Sequence, residues 1–107
     1  MSKKLSADDI LKRVLEQAQA HGIRLTFTNM RVYLRLLEYT KEHKKLVVKS
    51  IHGVRFNATT FELAEYCAVS PRMITDSLRK FKDCGVIRYE IHKPKPSVIT
   101  LLKDFYE

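Results

Sequence analysis

The chain has 107 residues, a formal net charge of +8, 45% hydrophobic residues and 9% aromatic residues. That length and apolar share suit one globular domain spanning residues 1–107. No apolar run is long enough for a signal peptide or a membrane span, so the expectation is a cytoplasmic protein with no membrane partner. The excess of lysine and arginine points to an acidic partner, a property shared by several classes of basic protein, so where the charge falls matters more than its sum.

The chain opens with a helix. Ser6, followed by Ala7-Asp8-Asp9, supplies its cap; Ile10, Leu11, Val14, Leu15 and Ala18 form one apolar stripe, and Gly22 ends it. A second helix opens at Thr28, with Val32, Tyr33, Leu36, Leu37 and Tyr39 facing inward and Arg31, Arg35 and Glu38 outward. After His43 the period changes. Leu46 to Ile51, then His52-Gly53, then Val54 to Phe56 predict a strand, a tight turn and a second short strand, forming an extra strand or an extended arm.

Two more helices follow within about thirty residues. Thr59 and Glu62 have the Thr-x-x-Glu spacing of a capping box. Ser70 serves as the next N-cap, and Pro71 sits at the first helical position, where a missing N–H costs nothing. Gly85 stops that helix, because a left-handed C-terminal residue is cheap only without a Cβ. Between these signals Phe61, Leu63, Ala64 and Cys67 mark the buried face of the first helix, and Ile74, Leu78 and Phe81 that of the second. The short Ala68-Val69 link makes the two helices cross steeply, with Val69 in the angle. Arg72, Thr75, Asp76 and Arg79 are left outward on the second helix, the position from which a helix-turn-helix reads the major groove.

A hairpin completes the pattern. Val86 to His92 alternates, with Ile87, Tyr89 and Ile91 on one face and Arg88, Glu90 and His92 on the other; Val98 to Leu101 returns as its partner. Lys93-Pro94-Lys95-Pro96-Ser97 joins them, a loop stiffened by two prolines that carries two ammonium groups.

Residues 59 to 101 resemble the winged-helix form of the helix-turn-helix, as in GntR- and MarR-type regulators. The resemblance rests on Val69-Ser70-Pro71-Arg72-Met73-Ile74-Thr75, then Leu78, Phe81 and Gly85-Val86-Ile87, and it identifies the superfamily without selecting one family. It implies an α+β winged helix-turn-helix with an additional N-terminal helix, the helix-turn-helix over about 59–85 and the wing hairpin over about 86–102. It also implies double-stranded DNA as the partner, with major-groove readout by the helix from Pro71 to Cys84 and backbone or minor-groove contact by the wing.

Charge is placed to match. Residues 29–56 hold seven basic residues against two acidic ones, and residues 71–95 hold seven against three. Arg72 and Arg79 suit guanine, whose O6 and N7 accept a bidentate guanidinium, and Thr75 suits a base edge or a thymine methyl. Asp76 either accepts from a cytosine amino group or holds a neighbouring Arg72 or Arg79. Ser70, Lys80, Arg88, Lys93 and Lys95, with Arg31 and Arg35 from the second helix, are candidates for the phosphate backbone. The N-terminal helix either packs on the helix from Asn29 to His43 or pairs with its copy in a homodimer, for which the segment from Leu102 to Tyr106 is a second candidate surface.

Cys67 and Cys84 lack a C-x-x-C pattern and a histidine at ligand spacing, so both are expected to be small buried hydrophobes rather than metal ligands. The four histidines are scattered at element ends. With no glycine-rich phosphate loop, no paired carboxylates and no nucleophile motif, no catalytic activity, cofactor or small-molecule ligand is expected. The leading expectation is a transcriptional regulator. A plasmid or viral replication or maintenance protein and a protein-interaction module are the alternatives.

Overall fold

In a computed structural model, residues 5–44, 47–91 and 96–107 are described. The chain is an α+β winged helix-turn-helix with an additional N-terminal helix: α1 (Ala7–Ala20), α2 (Phe27–Glu42), β1 (Val48–Ser50), β2 (Gly53–Ala58), α3 (Thr60–Cys67), α4 (Pro71–Cys84), β3 (Ile87–Glu90), β4 (Ser97–Leu102) and a closing 3-10 turn (Lys103–Phe105).

The helices begin where side chains replace missing backbone partners. Ser6 Oγ accepts from the Asp9 N–H at 3.2 Å, and Ser70 Oγ does the same for Met73 at 3.2 Å, with Pro71 in the first turn of α4 as expected. Thr59 accepts from Glu62 at 3.1 Å. The full reciprocal box forms instead on α2: Thr26 Oγ1 accepts from the Asn29 N–H at 3.2 Å, and Asn29 Oδ1 accepts from the Thr26 N–H at 3.0 Å. The helix therefore starts ahead of the expected Thr28, because the shorter asparagine does the work that glutamate usually does at that position.

α3 and α4 end alike. Val69 N–H donates to Ala64 O at 3.0 Å and Ala68 N–H to Glu65 O at 3.3 Å; Val86 and Gly85 repeat the pattern on Phe81 and Lys82. Both are Schellman closures, which need a left-handed residue. Gly85 supplies it at φ 82° without strain, whereas Ala68 adopts φ 57° with a Cβ. Val69 is half-buried in the angle between the helices, as the sequence suggested.

The sheet runs in the order β1-β2-β4-β3, antiparallel throughout. The hairpin before α3 is formed, so the segment is the extra strand and not the extended arm of the two expected forms. Its turn is Ile51-His52 and not His52-Gly53, since Gly53 already pairs with Ser50. Gly53 is fixed by crowding: a Cβ there would lie 1.9 Å from Leu101 O. One sheet face, with Phe56, Ala58, Ile87, Tyr89, Ile99 and Leu101, is buried under the helices.

Two expected core positions and one expected packing are corrected. Phe61 is 75% exposed, because Leu63, Ala64 and Cys67 fill the narrow buried arc of the short α3. Ile91 is 55% exposed, one residue beyond the end of β3, where the helices no longer cover the sheet. α1 packs mainly on α4 and the 3-10 turn rather than on α2. Gln17 Nε2 donates to Cys84 O at 2.9 Å, and Arg13 donates to Asp104 O at 2.9 Å and Glu107 O at 2.6 Å. The two candidate dimer surfaces thus lie against each other within one chain.

Candidate nucleic-acid interface

α4 has two unlike faces. Ile74, Ser77, Leu78, Phe81 and Cys84 are buried, while Arg72, Asp76, Arg79 and Lys82 are exposed and Thr75 is half-buried. The Thr75 hydroxyl donates back to Pro71 O at 3.2 Å. Burial of one face fixes the axis and rotation of the helix, so Arg72 and Arg79 are presented from a rigid support. The Ser70 hydroxyl is engaged by the cap.

A polar cluster underlies this face. Asn29, fully buried at the start of α2, donates Nδ2 to Ser77 Oγ at 2.7 Å and to Asp76 Oδ2 at 3.4 Å. Lys80 Nζ reaches Asn29 Oδ1 at 3.3 Å and pairs with Asp76 at 3.2 Å. Asp76 is thus held by Lys80 and Asn29, and neither Arg72 nor Arg79 is its partner. Lys80 is half-buried in the same cluster and presents less of its charge outward than its sequence position implied. The signal for this cluster was available only across the fold, since Asn29 lies 48 residues from Ser77.

The arginines of α2 separate into two kinds. Arg31 is exposed. Arg35 is expected outward but lies against α3: its guanidinium sits 4.3 Å from the centre of the Tyr66 ring, donates to Tyr66 O at 3.0 Å and pairs with Glu38. The reason is reach, because a long stem on the side of α2 that meets α3 can cover an aromatic face and satisfy a carbonyl at the end of α3.

Arg88 is exposed on the outer face of the sheet. It lies in one register row with Thr100, Arg55 and Val48. Arg55 is also exposed, and was not singled out in the sequence; the apolar alternation of Val54 and Phe56 around it was the available signal. Lys93 and Lys95 of the wing lie outside the described residues. The strands flanking that loop, β3 and β4, are paired as expected, from Ile87 opposite Leu101 to Glu90 opposite Val98.

Cys67 and Cys84 are buried thiols with no disulfide. Burial pushes the Cys67 thiol up to about 11, with Arg35 and Arg31 pulling the other way, and burial also raises Cys84. Neither is a reactive thiolate at neutral pH. Among the described residues no group of His, Cys, Asp and Glu could hold a metal ion, and no helix is long and apolar enough to cross a membrane.

No protein-family model matches the chain, and no curated protein matches it. Among solved structures it is similar to one described as the N-terminal domain of a DNA binding protein, with a TM-score of 0.65 and 16% identity over 96% of this chain and 85% of that one. At that identity the likeness speaks to the fold.

Proposed function

We propose that this chain binds double-stranded DNA in a sequence-specific manner and acts as a transcriptional regulator. The observation that carries the reading is the division of α4: its apolar face is sealed into the core, while Arg72 and Arg79, with the half-buried Thr75 between them, face solvent from the second helix of a helix-turn-helix. A helix so mounted can enter the major groove with its N-terminal half and read base edges without being reordered. The structural neighbour, described as a domain of a DNA binding protein, supports nucleic acid as the partner class.

In this reading Arg72 and Arg79 contact guanine edges and Thr75 contacts a base edge or a thymine methyl. Arg31, Arg88 and the wing lysines Lys93 and Lys95 set register on phosphates. Asp76 and Lys80, with Asn29, hold α4 in place through Asp76 Oδ2, and Asp76 Oδ1 keeps the option of accepting from a cytosine amino group. α1 and the C-terminal turn touch each other, so a homodimer would use the parts of them that this contact leaves exposed or another surface.

The test is selection from a random duplex library at two salt concentrations, with sequencing of the retained DNA. A recovered motif supports the regulator, and its symmetry reports one reading head or two. A motif repeated in tandem in the source genome favours a replication or maintenance role instead. Absence of binding at low salt, where phosphate contacts are strongest, would remove the DNA reading and favour a protein-interaction module.

A further inference from the structure

The sheet has one face under the helices and one in the open. On the open face the register sets Val48, Arg55, Thr100 and Arg88 side by side, one residue from each strand in the order β1-β2-β4-β3. Arg55 and Arg88 are exposed, and Thr100 between them is half-buried. Both arginines lie opposite Thr100, so their Cα atoms stand two strand spacings apart, roughly 9–10 Å. Side chains as long as arginine can bring both guanidinium groups towards the threonine hydroxyl from either side.

The row contains no carboxylate; Glu90 stands on the same face in the next row, opposite Val98. Among the described residues neither Arg55 nor Arg88 makes an ion pair or a side-chain hydrogen bond, whereas Arg13 and Arg35 are engaged with carbonyls of the chain itself. Guarding a strand edge accounts for Arg88 on β3 but not for Arg55, because β2 is an interior strand paired on both sides. An interior strand favours β-branched or apolar side chains at such a position, and Val48, Val98 and Leu102 around the row follow that preference. Two like charges facing each other across one strand repel, and an anion bound between them relieves the repulsion while gaining charge-assisted hydrogen bonds. The planar guanidinium fork matches two oxygens of a phosphate, a geometry that an ammonium lacks.

We infer that Arg55, Thr100 and Arg88 form a phosphate-binding surface on the open face of the sheet. It holds successive phosphates of a DNA backbone, one at each guanidinium, with the Thr100 hydroxyl donating to an oxygen between them. The inference rests on the DNA reading of the chain and extends it, through Arg55 and Thr100, to a surface in which α4 has no part. Contacts made here fix position and carry no sequence information.

The experiment compares the full natural chain with Arg55→Gln, Arg88→Gln, the double variant, and Lys12→Gln, which removes an exposed cation of α1 as a control for net charge. Affinities for a scrambled duplex are measured across a salt series, and the Nε–H resonances of Arg55 and Arg88 are followed as duplex is added to the natural chain. Each single variant on the sheet should flatten the salt slope by about one unit and the double variant by about two, with Lys12→Gln leaving it unchanged. Both Nε–H resonances should shift together. All the substituted positions are exposed, and an otherwise unchanged amide spectrum shows that the variants are folded. A natural chain that binds no duplex at low salt would remove the DNA reading and this surface with it. Binding whose slope the double variant leaves unchanged, or that Lys12→Gln flattens equally, would overturn this surface alone and leave the DNA reading standing. Equal resonance shifts with poly-glutamate in place of the duplex would also overturn it, by making an acidic protein segment the occupant.

Discussion

Asn29 donates to the Ser77 hydroxyl across 2.7 Å, and both side chains are fully buried, which ties the first turn of α2 to the middle of α4. The same Asn29 closes the capping box with Thr26 and accepts from Lys80. One asparagine thus starts one helix and sets the rotation of another. Such a network is stable only while every member is satisfied.

Asn29→Ala should cost about 2–3 kcal/mol, because it orphans a buried hydroxyl and removes half of a cap. Ser77→Ala should cost less, about 1 kcal/mol, since the asparagine keeps Thr26 and Lys80. The double variant should cost less than the sum. Urea midpoints of the four proteins measure this directly. Strict additivity would mean that the bond has no energetic reality in solution.

Arg72→Ala and Arg88→Ala should differ in kind under the DNA reading. The first should cost roughly 1–3 kcal/mol on the selected site and relax preference at one position. The second should weaken all duplexes alike and flatten the salt slope by about one unit. Affinities on selected and scrambled duplexes across a salt series separate the two behaviours. Identical profiles would refute the proposed division between base and phosphate contact.

What was legible in the sequence was local. Ser70, Pro71 and Gly85 bound α4 through contacts within a few residues of each helix end, and the wing strands follow from the alternation of Ile87 and Tyr89. What was not legible depends on partners far along the chain. Arg35 has outward spacing on α2, yet Tyr66 of α3 draws it in. Asp76 has arginines on its own helix, yet its fourth neighbour Lys80 and the distant Asn29 hold it. Phe61 fits the apolar period of α3, but an eight-residue helix has too little buried arc for it. Periodicity assigns a face, and only the packing decides how wide that face is.

Arg35→Ala tests the reassignment of that arginine from phosphate to packing. It should lower stability by about 1–2 kcal/mol through the lost ring stacking and carbonyl bond, and Arg35→Lys should recover little, having no planar group to lay on Tyr66. The salt slope of DNA binding should stay as in the natural chain. A slope lower by about one unit would return Arg35 to the phosphate contacts.

Ala68→Gly should stabilise the chain by about 0.5–1 kcal/mol. Ala68 holds φ 57° in the same closure that Gly85 makes at φ 82°, and an alanine Cβ is unfavourable there by roughly 1–2 kcal/mol. The extra freedom of glycine in the unfolded chain offsets part of the gain. Since Ala68 is exposed, no packing is lost. A lower thermal midpoint would show that the turn between α3 and α4 gains more from a stiff residue than from relief of strain.

Alkaline pH should destabilise the chain from about pH 9 upward. Cys67, 1% exposed, has its thiol pushed by burial from an ordinary value of 9.0 to about 11, and Cys84 and Tyr33 are raised by burial too. In the unfolded chain these groups lose their protons at ordinary values, whereas the folded chain keeps them, so between about pH 9 and 11 the folded state binds more protons. Stability is therefore fully present below that window and falls as pH rises through it. The thermal midpoint should be level from about pH 7 to 8.5 and then drop. Cys67→Ala should make the drop shallower, and Cys67→Ala/Cys84→Ala should delay it to about pH 10, where Tyr33 begins to titrate in the unfolded chain. A natural chain whose midpoint stayed level to pH 11 would mean that water reaches both thiols, and that the closure around the ends of α3 and α4 is looser than their burial implies.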